Sequence, residues 1–175
     1  MAKYRKMLNN WDADYLQSLV KLIETQSKTT LVQWSLTYAE DIFLPIWKSL
    51  NPSDNRPQKA IEMAKEWVLG KVKLPEVKKI ILECHAAARE NEDNPTAQAI
   101  ARAIGQACST IHSARHCIGL PLYGALGIAY YKCGLDKSYV DLEKVAAREC
   151  FEMEMALKNI SVIDEPNKAN ISWKC

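Results

Sequence analysis

Glycine is scarce in this chain, six residues in 175. No stretch alternates apolar and polar residues as a half-buried strand would, so a sheet architecture is not expected. Charge of one sign is also lacking. Twenty-three Lys and Arg face 21 Asp and Glu, a net of +2. Such a chain has no global field to draw in nucleic acid or acidic lipid, and neither is expected as a partner. None of the six cysteines, Cys84, Cys108, Cys117, Cys133, Cys150 and Cys175, forms a C-x-x-C pair. Several fall on apolar helical stripes, where a thiol acts as a small hydrophobe. They read as reduced thiols of a cytoplasmic protein.

Long apolar runs are missing too. The basic start, Met1 to Met7, is followed by Leu8-Asn9-Asn10-Trp11-Asp12, which is no signal-peptide core. The longest apolar stretch, Cys117 to Tyr131, holds Pro121 and three glycines and is too short to cross a bilayer. It reads as a core segment. Catalytic signatures are equally absent: no G-x-S-x-G, P-loop, dinucleotide fingerprint, H-E-x-x-H or Glu-x-x-His. No cofactor is expected.

What remains is ordinary globular material, 48% apolar and 25% charged, enough for a sizeable core without disulfides or metals. Residues 1–175 read as one all-α domain, a compact bundle of about seven mostly antiparallel helices. The first runs from Asp12 to about Gln26 on the stripe Leu16, Leu19, Val20 and Ile23. The second opens at Ser27 or Lys28 with Leu31, Trp34, Tyr38, Ile42 and Ile46 on one face, kinked at Pro45. The turn from Asn51 to Pro57 precedes a third helix with Ala60, Ile61, Ala64, Trp67 and Val68, stopped by Gly70. A fourth spans Pro75 to about Glu92. A fifth begins after Asn94 and reaches Pro121, carrying both His112 and His116. A sixth runs to Gly134 and a seventh from Ser138 to Ile160. The tail, 161–175, is polar and irregular, loose or pinned by Trp173. Trp34 and Trp67 are expected in the core; Trp11, Trp47 and Trp173 are freer to lie at the surface.

The three histidines offer the only constellation with chemical potential. His112 and His116 are four apart, hence on one helix face, with Cys108 four earlier. Cys108, His112 and His116 cannot all reach one ion, since eight helical residues rise about 12 Å. A metal would need His112, His116 and His85, or an acid such as Glu40 or Asp41. His85-Ala86-Ala87-Ala88-Arg89 and the small residues Ala101, Gly105 and Cys108 suit two closely packed helices, which would gather His85, Arg89, His112 and His116 in a polar pocket. The alternative is a solvated edge with ordinary ion pairs. Arg56, beside Asp54 in a turn, fits a loop-fixing role or, less commonly, an anion contact. Ser109 and Ser113 flank His112 without a third group to orient them.

Several of these pieces occur together in a known family. They are Trp34 with Ala39-Glu40 and Leu44-Pro45; Pro52 with Asp54-Asn55-Arg56-Pro57; Ala60-Ile61 and Trp67 before Gly70; His85 to Arg89; and Ala101-Arg102 through Gly105-Gln106-Ala107 to His112, His116 and Tyr123. In this order, from about 31 to 131, the chain resembles the all-helical immunity proteins of bacterial polymorphic-toxin systems, the fifth immunity-protein-like family. The resemblance implies a cytoplasmic, non-catalytic protein that binds and neutralises a cognate protein toxin. Its candidate contact residues are Asp54, Arg56, His85, Arg89, Arg102, His112 and His116. Two alternatives compete. One is a helical metal- or small-ligand-binding enzyme centred on His85, His112 and His116. The other is an oligomerising bundle, a homodimer meeting through Leu120–Tyr131.

Overall fold

The computed structural model describes residues 4–173; Cys175 and the outermost termini of the expected domain lie outside the described residues. Among the described residues there is no strand, only an isolated antiparallel bridge between Ser27 and Lys168. The chain is a helical bundle, as its periodicity predicts. Eight α-helices follow in order: α1 (Asp14–Ile23), α2 (Lys28–Tyr38), α3 (Leu44–Leu50), α4 (Arg56–Val68), α5 (Leu74–Glu90), α6 (Pro95–Ser109), α7 (Leu126–Cys133) and α8 (Tyr139–Ile160). A π-helical turn, Ala39–Phe43, joins α2 to α3, so the two form one continuous rod and the bundle has seven.

Local chemistry sets the ends of these helices. Ser27 Oγ accepts from Thr30 N–H at 3.2 Å, and Ser138 Oγ from Asp141 N–H at 3.2 Å. Asn94 Oδ1 accepts from Ala97 N–H at 3.1 Å. Each satisfies a donor that a helix start leaves free. At α4, Asp54 Oδ1 takes the Arg56 N–H, and Pro57 lies in the first turn. The α4 terminus closes on Gly70 at φ 73°, with Gly70 N–H donating to Trp67 O and Lys71 N–H to Glu66 O. That paired arrangement needs a left-handed residue, which glycine supplies at no steric cost.

Pro45 falls in the first turn of α3, directly after a π turn in which Leu44 N–H reaches back five residues to Ala39 O. A π turn holds an extra residue and so rotates the buried face. Ile42 turns outward and Ile46 is half-buried, while Ala39, Phe43 and Trp47 take the interior positions. Trp47 is therefore fully buried rather than superficial, and its Nε1–H donates to Asp54 O at 2.7 Å. Trp67 is only half-buried and Val68 is exposed.

The fifth helix also ends sooner than Pro121. Ser109 Oγ donates to Gly105 O at 2.8 Å and Thr110 Oγ1 to Gln106 O at 3.2 Å. These hydroxyls compete for the last-turn carbonyls, and such bonding favours a helix end. The chain then passes through a 3-10 turn (Ala114–Ile118) and a second π turn (Leu120–Ala125) into α7. His112 and His116 consequently do not share one helix.

A single core cluster runs from Leu8 to Leu157, and α6 threads it. Thirteen residues of α6 are buried; only Arg102 and Gln106, one turn apart, are not. The stretch Leu120–Tyr131 is interior apart from Leu122, Tyr123 and Tyr131, so most of it belongs to this core. The tail is pinned. Gln26, buried at the α1–α2 corner, accepts from Val162 N–H and donates to Val162 O, and its carbonyl accepts from Ala169 N–H at 2.8 Å. Trp173 donates to Glu24 Oε1 at 2.7 Å and packs on Trp11, centroids 5.8 Å apart. No helix of the described residues is long and apolar enough to cross a membrane.

Candidate functional site

Arg102 and Gln106 each engage a histidine. Arg102 Nη1 donates to His85 Nδ1 at 3.3 Å, and His116 Nδ1 donates to Gln106 Oε1 at 2.8 Å. His112 lies against His116, ring centroids 5.1 Å apart. The approach of α5 to α6 depends on glycine: a Cβ on Gly105 would stand 2.4 Å from His85 Cε1. A Cβ on Gly119 would meet the Gln106 side chain at 2.2 Å, so the turn after the 3-10 segment is equally close. Small residues thus seat the imidazoles on the one polar ridge of the central helix.

Electrostatics in the cluster are one-sided. His85 is pushed down to about 4, by burial first and then by Arg102, Arg89 and His116. His112 is pushed down to about 4 by burial, His116, Lys78 and Lys28. His116 is lowered by burial and Arg115. All three are neutral at pH 7, and no carboxylate is among the charges that perturb them. The Nδ1 of His112 is buried without a hydrogen-bond partner. A bare lone pair there costs less than a stranded N–H, which also keeps the ring neutral.

Asp54 and Arg56 form a different network. The Arg56 fork spans Asp54 Oδ2 at 2.7 Å and Glu90 Oε2 at 2.6 Å, tying the turn before α4 to the end of α5. It shares no hydrogen bond with the histidines, and two carboxylates occupy its donors. Arg89 is exposed on the rim of the histidine cluster. The structure therefore brings together His85, Arg89, Arg102, His112 and His116. Gln106 stood among the residues that carry the family resemblance but not among the candidate contact residues. Its signal was the i, i+4 pair with Arg102 on one face of a largely apolar helix.

The family model described as "Imm-5 like putative immunity protein" matches residues 21–156. The chain belongs to this family. All the candidate residues of this Imm-5 like chain, Asp54 and Arg56 included, fall inside the match, which extends past the stretch 31–131 on both sides. No curated protein and no solved structure matches the chain.

The donor set of the cluster does not suit a metal. Among the described residues no three His, Cys, Asp or Glu side chains are grouped to hold one. Guanidinium and amide groups stand where a metal centre would carry acids. The Ser109 hydroxyl bonds to the helix backbone, and neither it nor the Ser113 hydroxyl partners His112 Nδ1. Beside the cluster lies a cleft of about 630 Å³ between α2 and the end of α4. Its walls are mainly apolar, Val32, Leu36, Trp67, Val68 and Leu69, and Lys28 is common to the cleft and to the charges around His112.

Proposed function

We propose that this Imm-5 like chain is an immunity protein that binds and neutralises a cognate bacterial toxin in the cytoplasm, as one domain and without chemistry of its own. The family match over residues 21–156 carries the reading. The polar cluster supports it as the contact surface. It has directional donors and neutral rings, and no activated nucleophile or acid–base pair of the kind catalysis requires. The adjoining cleft offers apolar pockets where aromatic or aliphatic anchors of a partner would add affinity. The enzyme alternative draws on the same three histidines, but their surroundings of cations in place of carboxylates give it no support.

The test is protection. The chain is co-expressed with the toxin domains encoded beside its gene, and growth is followed. Rescue by one toxin, with a complex on size-exclusion chromatography, is the expected result. Arg102→Met with His116→Asn should weaken rescue while leaving the circular dichroism helical. Failure to protect against any neighbouring toxin would sink the reading. The same chromatography of the free protein checks for a homodimer.

A further inference from the structure

The chain's charges are balanced in number but not in space. Lys6, Arg56, Lys65, Lys71, Lys132 and Lys144 each have a carboxylate within ion-pair distance. Among the described residues, the cations around the histidines have none: Lys28 from α2, Lys78 and Arg89 from α5, Arg102 from α6 and Arg115 from the 3-10 turn. Yet these are the charges that act on the three rings. Glu90 does feel the charge of the neighbouring Arg89, but both of its oxygens are held by the Arg56 fork.

We propose that this patch, centred on His85, Arg102 and His116, is a carboxylate-recognition site, and that the toxin face it covers is lined with Asp and Glu side chains. The inference rests on the immunity reading for the identity of the partner, while the carboxylate chemistry stands on the patch itself. Arg102 spends one N–H on His85 and keeps others for a planar anion, the geometry a guanidinium fork matches. The neutral ring of His85 keeps its Nε2–H as a donor without adding repulsion among cations, whereas His116, whose Nδ1–H is spent on Gln106, offers a second donor when it is protonated. Nucleic acid is the weaker fit, because tracking a phosphate backbone calls for a long basic stripe and a charge surplus, and the chain carries only +2. A bound anion also favours the imidazolium form, so binding takes up protons and tightens as pH falls from 7 to 5.

The experiment uses the full chain, with histidine ring resonances followed by NMR. The probes are citrate, a short poly-glutamate peptide and a DNA duplex matched to the peptide in charge. Citrate and the peptide should shift the three rings saturably, and the ring titration midpoints should rise in citrate. Arg102→Met should weaken both by about tenfold or more. Lys71→Met, whose cation is already paired with Glu66, should bind as the wild type does. His116→Asn serves as the second variant if Arg102→Met does not fold. Absence of saturable shifts, an Arg102→Met affinity equal to wild type, or tighter binding of duplex than of peptide would overturn the proposal. Because the probes need no toxin, that failure is separate from a failure to protect cells.

Discussion

A guanidinium can only donate, so the contact from Arg102 to His85 Nδ1 requires that nitrogen to carry a lone pair. The folded chain therefore holds His85 as the neutral Nε2–H tautomer, and His112 is neutral by burial. An unfolded histidine titrates near its ordinary 6.5, whereas these two wait until about 4. Between those values the unfolded chain binds more protons than the folded one. Stability thus rises with pH through that window and is lost as pH falls from 6.5 toward 4. Urea midpoints at pH 7.5 and pH 5 should show the drop, and His85→Asn should flatten it. An unchanged slope in His85→Asn would mean that the ring is not held neutral. The residue types of this cluster were legible in the sequence. Their neutrality was not, because it depends on which charges the fold brings near.

At the scale of elements, the helices and most of their boundaries follow from caps and periodicity, as at Ser27, Asn94, Gly70 and Ser138. The failures came where a helix is not ideal. The turn at Ala39–Phe43 adds one residue to the rod, a change no 3.6-residue pattern displays, and it moved Trp47 from the surface to the core. The second π turn, Leu120–Ala125, packs Gly124 against Phe43 of the first. A Cβ on Gly124 would lie 2.3 Å from Phe43 Cζ, and Phe43 is fully buried. Gly124→Ala should therefore cost about 1–3 kcal/mol through overpacking. Ser138→Ala, which removes an exposed N-cap, should cost about 1 kcal/mol. Chemical denaturation of the two variants decides the ranking. A Gly124→Ala protein as stable as wild type would show that the two π turns are not packed tightly.

The whole molecule is closed by contacts between its ends. Buried Gln26 holds the backbone of Val162 and Ala169, and Trp11 meets Trp173. Gln26→Ala should strand the Val162 N–H and cost about 1–3 kcal/mol. Limited proteolysis should then cut the segment after Ile160 faster, with α8 intact. Equal cleavage rates would mean that Trp173 and the Ser27–Lys168 bridge hold the tail unaided. The sequence marked Trp173 as a candidate pin, but nothing local pointed to Gln26, whose partners lie more than 130 residues away.

Sequence by itself determined the helical class, the caps, the shortage of flexible glycine and the family, because periodicity, end chemistry and ordered motifs are local properties carried along the chain. The tertiary structure decided which side chains meet. It folded His85 and His116 onto the two residues of α6 that are not buried, set His112 against His116, gave Arg56 the carboxylates of Asp54 and Glu90, and left the cations around the rings without an ion-pair partner among the described residues. The reason is physical. Burial and charge neighbours depend on distances between segments remote in sequence, and those distances exist only once the core has packed.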